Sequence, residues 1–173
     1  VMGCTKTEQS LEIGETELNG NNQANSCIDI DGNNYKTVKI GNQVWMAENL
    51  RVTRYRNGQP IQFLTAAADW ANLANQTDKG AICYYNNDMV FQQPYGLLYT
   101  WYAANDTRGL APEGWHIPSD AEWIELGNTL GGYQEAGGKM KTTGTLDAGN
   151  GLWLAPNSGA TNSSGFSAVP SGE

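Results

Sequence analysis

Apolar and polar residues roughly alternate between positions 35 and 46. The apolar positions of this stretch are Tyr35, Val38, Ile40, Val44 and Met46. An Asp-Gly pair at positions 31–32 precedes it and a Gly-Asn pair at positions 41–42 interrupts it, and both pairs are typical of hairpin turns. The pattern therefore predicts a meander of short, half-buried antiparallel strands.

Helical spacing appears next in two segments. Residues 66–75 predict a short helix in which Trp70 and Leu73 share a face. Residues 95–104 are apolar on all sides, which predicts a helix buried in the core. Between them, residues 81–85 predict a short strand that ends at an Asn-Asn-Asp run.

A capping box marks the start of the clearest helix. Ser119 is a typical N-cap residue, and Glu122 stands three positions later, where its carboxylate can reach back to the Ser119 backbone. Apolar residues follow at helical spacing: Trp123, Leu126 and Leu130. A Gly-Gly pair ends this helix, and the Gly-, Asn-, Ser- and Thr-rich sequence beyond position 137 predicts a long irregular loop region.

Composition narrows the function classes. The 173 residues include 10 Lys and Arg against 18 Asp and Glu, a net charge of −8 without long runs of one sign, which argues against a nucleic-acid-binding protein. Only 16% of the residues are charged, whereas 21 Gly, 6 Trp and 8 Tyr favour hydrogen-bonded loops around aromatic anchors. No apolar stretch reaches the roughly 18 residues of a membrane-spanning helix, so a membrane attachment would need a lipid or a partner protein.

The N-terminus offers a place for such a lipid. Residues 1–4, Val-Met-Gly-Cys, resemble the end of a bacterial lipobox, in which processing leaves the cysteine as a lipidated N-terminus. We therefore expect Cys4 to be a lipid anchor, residues 1–26 to be a lipobox remnant and flexible polar spacer, and residues 27–173 to form the domain. The alternative is that Cys4 is an ordinary buried cysteine.

Two further cysteines, Cys27 and Cys83, form an even pair. In an oxidising compartment they would form a disulfide, and the alternative is two free thiols, because spacing alone does not place two Cα atoms within bridging distance. A metal site is not expected, since the chain has no Cys-x-x-Cys motif and His116 is its single histidine.

Asp29, Asp31 and Asn33 imitate the start of a calcium-binding loop. Asn34 occupies the position of the loop's glycine, and no glutamate follows where the loop should end. A plain turn is therefore favoured, and the chain is expected to hold no cofactor.

Several sequence blocks carry a resemblance to a known family. They are residues 38–51, 83–88, 95–99, 112–123, 136–141, 159–162 and 165–168. The block at 112–123, for example, reads Pro-Glu-Gly-Trp-His-Ile-Pro-Ser-Asp-Ala-Glu-Trp. Together they resemble the Fibrobacter succinogenes major paralogous domain, over about residues 27–172.

This resemblance implies an α+β fold similar to C-type lectin-like domains and formylglycine-generating enzymes, with short antiparallel strands, two main helices and a long irregular loop region. It also implies an outer-membrane lipoprotein at the surface of a Bacteroidetes-type or Fibrobacter bacterium. Ala111 replaces a cysteine that members often carry. Members also usually continue with further strands beyond the point where this sequence stops, so the domain is expected to be C-terminally incomplete.

An enzyme is not expected. The formylglycine-generating enzymes resemble the chain at residues 117–123, but their catalytic cysteines belong to the part beyond its C-terminus. Asp120 and Glu122 have a capping explanation. His116, between Trp115 and an isoleucine, is more typical of a packed, hydrogen-bonded side chain than of a catalyst.

Aromatic rings set among Asn- and Gly-rich loops predict a binding or assembly module that recognises a glycan or a peptide. Four tryptophans lie in family-like blocks at core-type spacing and are expected to be structural: Trp45, Trp101, Trp115 and Trp123. The candidate ligand-binding residues are Tyr84, Tyr85, Asn86, Asn87, Asp88, Trp153 and Asn157. The alternative is an accessory subunit of an outer-membrane nutrient-uptake or fimbrial complex that has no ligand of its own.

Overall fold

Short strands and short helices follow one another along residues 4–7, 27–73 and 79–171, the part of the chain that the computed structural model describes. The strands are β1 (Thr5–Thr7), β2 (Cys27–Ile28), β3 (Asn34–Tyr35), β4 (Thr37–Ile40), β5 (Gln43–Met46), β6 (Gln62–Phe63), β7 (Ala81–Cys83) and β8 (Leu98–Tyr99). The helices are α1 (Ala67–Leu73), α2 (Gln92–Tyr95), α3 (Trp101–Ala104), α4 (Asp120–Thr129) and α5 (Tyr133–Met140). This mixture confirms the predicted α+β class.

The predicted meander contains a hairpin within a three-stranded sheet. β4 and β5 pair antiparallel, with Val38 opposite Trp45, and β2 and β3 form a separate antiparallel pair. The strand order of this three-stranded sheet is β1-β5-β4, so β5 is central. All four residues of β5 are buried, which places this strand inside the core.

The first strand corrects the predicted domain boundary. Thr5 does not lie in a spacer, because it pairs with Trp45 on one side and exchanges backbone hydrogen bonds of 3.0 and 3.1 Å with His116 on the other. Its hydroxyl donates to a carbonyl oxygen of β5 at 3.1 Å, so this polar side chain is satisfied inside the core. The rest of the predicted spacer, residues 8–26, lies outside the described residues.

A second sheet combines parallel and antiparallel pairs. β6 and β7 are parallel, β7 and β8 are antiparallel, and β7 is the central strand. The helix α1 confirms the one predicted around Trp70 and Leu73, and β7 confirms the strand predicted from position 81.

The helix predicted over residues 95–104 is wrong in its first half. Gly96, with a φ of 73°, ends α2, and β8 follows before α3 begins. The Thr100 hydroxyl caps α3 by accepting a hydrogen bond from the Ala103 backbone. The helix α3 starts only at Trp101, and this residue is 68% exposed rather than buried in the core.

The predicted capping box is present at the start of α4. The Glu122 carboxylate accepts a hydrogen bond of 2.8 Å from the Ser119 backbone N–H, and the Ser119 hydroxyl oxygen accepts one from the Glu122 backbone N–H. The helix continues to Thr129, as its apolar spacing predicts.

The helix α5 lies partly where the sequence predicts loop. It begins after Gly132, whose φ is 86°, and it includes the Gly137-Gly138 pair that lowers helix propensity. Backbone hydrogen bonds tie its C-terminal end to residues 161–168, including one of 2.8 Å from Thr161 N–H to the Gly138 carbonyl. Beyond α5 the described chain is irregular, with isolated bridges only, which confirms the predicted loop region.

Two hydrophobic clusters account for most of the interior. The larger one lies around Tyr35, Met46, Leu50 and Ile82. The other joins Trp45 and its neighbours on β4 to the apolar face of α4 and α5 and to Phe166 of the loop region. None of the described helices is both long and apolar enough to cross a membrane.

Candidate functional site

An open groove of about 740 Å³ lies between α3, the loop after it and the segment that leads into α4. We call it the Trp101 groove. Its aromatic and polar lining residues are Tyr99, Trp101, Arg56, Asn105, His116 and Ser119, and the remainder of the lining is apolar or glycine. This volume lies within the usual range of small-molecule sites, and an apolar lining with a few polar groups is typical of them.

Trp101 stands at the groove as an exposed ring on a fixed helix. Its ring meets the Tyr102 ring edge-on, with 5.4 Å between centroids and an interplanar angle of 83°. The helix itself is held closely, because Ala103 is fully buried and a Cβ atom at Gly80 would lie 2.7 Å from the Ala103 Cα. The indole is therefore an apolar surface that faces solvent from a firmly packed helix backbone.

The other wall of the groove contains His116 and Ser119. The His116 backbone is fixed by Thr5, and its Nε2 lies 2.6 Å from Oε1 of Glu122. The Ser119 hydroxyl donates to the second oxygen of the same carboxylate at 2.8 Å. Burial raises the pKa of Glu122, but the hydrogen bonds from Ser119 and His116 outweigh it, so the net pKa is lowered.

Arg56 fixes the loop that connects these walls. Its Nε and Nη2 donate to the Ala111 carbonyl at 3.1 and 2.9 Å, and Nη2 also donates to the Trp115 carbonyl at 3.2 Å. The Arg56 backbone N–H donates to the Gly109 carbonyl at 2.8 Å. One arginine therefore holds both ends of residues 109–115 in place.

A sequence comparison identifies the family. The profile of the Fibrobacter succinogenes major domain matches residues 38–173. The chain belongs to this family. No curated protein and no solved structure shows significant similarity to the chain. All the residues that line the Trp101 groove fall within the match, whereas β1 lies before it.

In this Fibrobacter succinogenes major domain, the residues predicted to bind ligand around position 85 come together in one turn. Asn86 and Asn87 are exposed with φ values of 51° and 55°, and the Asp88 carboxylate accepts a hydrogen bond from a backbone N–H two residues on. The Tyr84 ring packs against Phe63, whereas Tyr85 packs against Phe91 and Tyr95. The two tyrosines are thus half-buried parts of small aromatic clusters.

The other two predicted ligand residues, Trp153 and Asn157, come together in the loop region of the family domain. The Trp153 indole N–H donates to the Thr142 hydroxyl at 2.9 Å. The Asn157 amide donates to the Thr142 carbonyl at 3.0 Å and to the Gly144 carbonyl at 2.9 Å. These polar groups hold the loop together, and neither residue lines the Trp101 groove.

None of the residues that line the groove was among those predicted to bind ligand, and Trp101 and Arg56 are the most consequential of them. Trp101 was expected to be structural, as Trp45 and Trp115 are: both of those are buried. A local signal for the start of α3 was present, since Thr100 is a good N-cap residue.

All three cysteines of the chain are free, buried thiols, and Cys4 is fully inaccessible. For Cys27 and Cys83, free thiols were the alternative that the sequence left open beside a disulfide. Burial raises the pKa of all three, that of Cys27 to about 12. Because reactivity requires the thiolate, these residues are poorly suited to act as nucleophiles.

The calcium-like sequence folds as a self-contained turn, as the sequence favours. One Asp29 oxygen accepts hydrogen bonds from the backbone N–H groups of Asp31 and Asn33, and the other accepts one of 2.6 Å from the Tyr35 hydroxyl. Across residues 4–7, 27–73 and 79–171, no three His, Cys, Asp or Glu side chains are grouped to hold a metal ion.

Proposed function

We propose that this domain is a non-enzymatic binding module that holds saccharides in the Trp101 groove. The exposed Trp101 ring carries the proposal, because 68% of it faces solvent beside a groove large enough for a small ligand. Each Å² of apolar surface that a ligand covers contributes about 25 cal/mol to the binding free energy. A ligand with a flat apolar face would therefore bind more favourably than water at this position.

A pyranose ring has such a face on its C–H side and has hydroxyl groups at its edge. Trp101 supplies a flat ring for the face, and the cap of α3 fixes the backbone that carries this ring. Asn105 and Ser119 supply an amide and a hydroxyl within the same groove, and both residue types can hydrogen-bond to sugar hydroxyls. This combination favours a saccharide over a purely apolar ligand.

The polar groups of the groove are arranged for positioning rather than for catalysis. A serine nucleophile needs its hydroxyl proton to go to a base, usually a histidine. The Ser119 hydroxyl instead donates to Glu122, which is already paired with His116. This geometry supports the expectation that the domain is not an enzyme.

Trp101→Ala is expected to weaken saccharide binding at least about tenfold, because it removes the stacking surface. Isothermal titration with a panel of neutral and acidic oligosaccharides would measure the change. Tyr133→Ala is the matched control, since Tyr133 is an exposed ring, 77% accessible, that does not line the groove. Equal affinities for Trp101→Ala and the native protein, or no saccharide binding at all, would refute the proposal.

We also propose a cell-surface location with a lipid on Cys4, as the lipobox-like residues and the family resemblance imply. The Cys4 thiol lies in the core beside β5, so a lipid on its sulfur would require this residue and β1 to leave the sheet. Intact mass of the native protein should show the diacylglyceryl group, and a Cys4→Ala variant should leave the membrane fraction. Retention of that variant in membranes would exclude Cys4 as the anchor.

An accessory subunit of an outer-membrane complex is the second candidate function. Met89 and Val90 favour it, because each is 68% exposed next to the aromatic cluster of Tyr85 and Phe91. Co-purification with an outer-membrane transporter from native membranes would support this function, and its absence would leave saccharide binding as the better proposal.

A further inference from the structure

We infer that the Trp101 groove selects saccharides that carry a carboxylate, as hexuronates do. This inference rests on the proposed saccharide-binding function and adds the ligand's charge to it. The observations that carry it are the charge of the groove lining and the bonding of Arg56.

The groove lining differs in charge from the chain as a whole. The chain has 18 Asp and Glu and a net charge of −8. None of the residues that line the groove is Asp or Glu, whereas Arg56 and His116 are among them. The Glu122 carboxylate bonds to His116 and Ser119, so the cation that we assign to the groove is Arg56 alone. A cationic side chain in a site without a lining carboxylate attracts anions to that site.

Arg56 is bonded differently from the other arginines. Each of those forms an ion pair: Arg51 with Glu48 at 3.1 Å, Arg54 with Asp31 at 3.3 Å and Arg108 with Asp106 at 2.7 Å. Within the described part of the chain, the Arg56 guanidinium instead donates to backbone carbonyl oxygens. Carbonyl oxygens satisfy hydrogen bonds but do not neutralise the cation, so Arg56 keeps its full charge in the groove.

The bonds of Arg56 also fix its position. They use Nε and Nη2, so we assign Nη1 to the ligand carboxylate. His116 is not assigned to the ligand carboxylate, because Oε1 of Glu122 already lies 2.6 Å from its Nε2. A sugar stacked on Trp101 would therefore meet one preorganised cation, and a charge-assisted hydrogen bond to it is stronger than a neutral one.

The native protein allows the first test without any substitution. Trigalacturonate, its methyl ester and neutral galactotriose are titrated calorimetrically at low salt. The free acid is expected to bind at least about tenfold more tightly than the ester, with an advantage that shrinks as salt rises. Equal binding of acid and ester would overturn the inference while the proposed function stands. Binding of none of the three, together with no binding across the wider oligosaccharide panel, would overturn both.

A pair of variants tests the role of Arg56 itself. Arg56→Gln is expected to remove the preference for the free acid, whereas Arg54→Gln should retain it. Arg54→Gln is a matched control, because it removes the same charge two residues away and Arg54 does not line the groove. A folded Arg56→Gln protein that still prefers the acid would overturn the assignment; if this variant does not fold, the ester comparison decides.

Discussion

Replacing Trp45 with alanine is expected to lower the free energy of unfolding by about 3–5 kcal/mol. Trp45 is fully buried, and its ring centroid lies 4.7 Å from that of Trp123 and 5.8 Å from that of Phe166. Its indole N–H also donates to the Gln43 side chain at 3.2 Å. The substitution would leave a cavity between β5, α4 and the loop region, and it would remove the donor for a buried amide oxygen.

Urea denaturation of the native protein and the variant would measure this loss. Trp101→Ala is the control, because its ring is exposed and surface substitutions usually change stability by less than about 0.5 kcal/mol. A loss below about 1 kcal/mol for Trp45→Ala would contradict its place at the centre of the second cluster.

Gly138→Ala is expected to destabilise the fold by about 1–3 kcal/mol. A Cβ atom at Gly138 would overlap the Gly159 carbonyl oxygen, and a backbone oxygen cannot turn aside as a side chain can. The Gly138 carbonyl also accepts the Thr161 N–H at 2.8 Å, so relieving the overlap would strain this hydrogen bond. Glycine at this position is therefore required by the close packing of α5 on the loop region.

Gly137→Ala provides a control one position away. Outside the neighbouring residues and the backbone of α5 itself, no described atom lies within 4 Å of a Cβ at Gly137, and its φ is not positive. Alanine in a helix is favoured over glycine by about 0.8–1.0 kcal/mol, so this variant should be neutral or more stable. Similar thermal unfolding midpoints for the two variants would show that α5 does not pack against Gly159 as described.

The elements that the sequence predicts well depend on neighbouring residues. The capping box needs only Ser119 and Glu122, and the β4–β5 hairpin needs only a short turn between two alternating strands. The predicted α1 also starts and ends within a few residues of the observed helix. Such local chemistry can be read without knowledge of the rest of the fold.

The elements that the sequence predicts poorly depend on distant contacts. Thr5 becomes a strand residue because β5 and His116 both offer backbone partners to it, and neither is near in sequence. The helix α5 contains two glycines, and the reason for Gly138 becomes visible only when Gly159 is placed beside it. Tertiary packing therefore outweighed local propensity at both positions.

The candidate site shows the same division. The sequence predicts exposed aromatic residues at a binding site, but it does not identify Trp101 rather than Trp153 as the residue concerned. Identifying it requires knowing where α3 begins. It also requires knowing that the Trp153 indole N–H has a partner inside the protein. Arg56 carries no local signal, because its role comes from carbonyl oxygens of residues 111–115. The groove is assembled from three separated segments, so its existence could not be read from the sequence pattern.

Amide and indole chemical shifts of the ¹⁵N-labelled protein during titration with trigalacturonate would test the groove assignment most directly. Binding in the Trp101 groove predicts progressive shifts of the Trp101 indole N–H and of the Asn105 and Ser119 backbone amides. Shifts confined to residues 84–88 and Trp153, with the Trp101 signal unchanged, would contradict it.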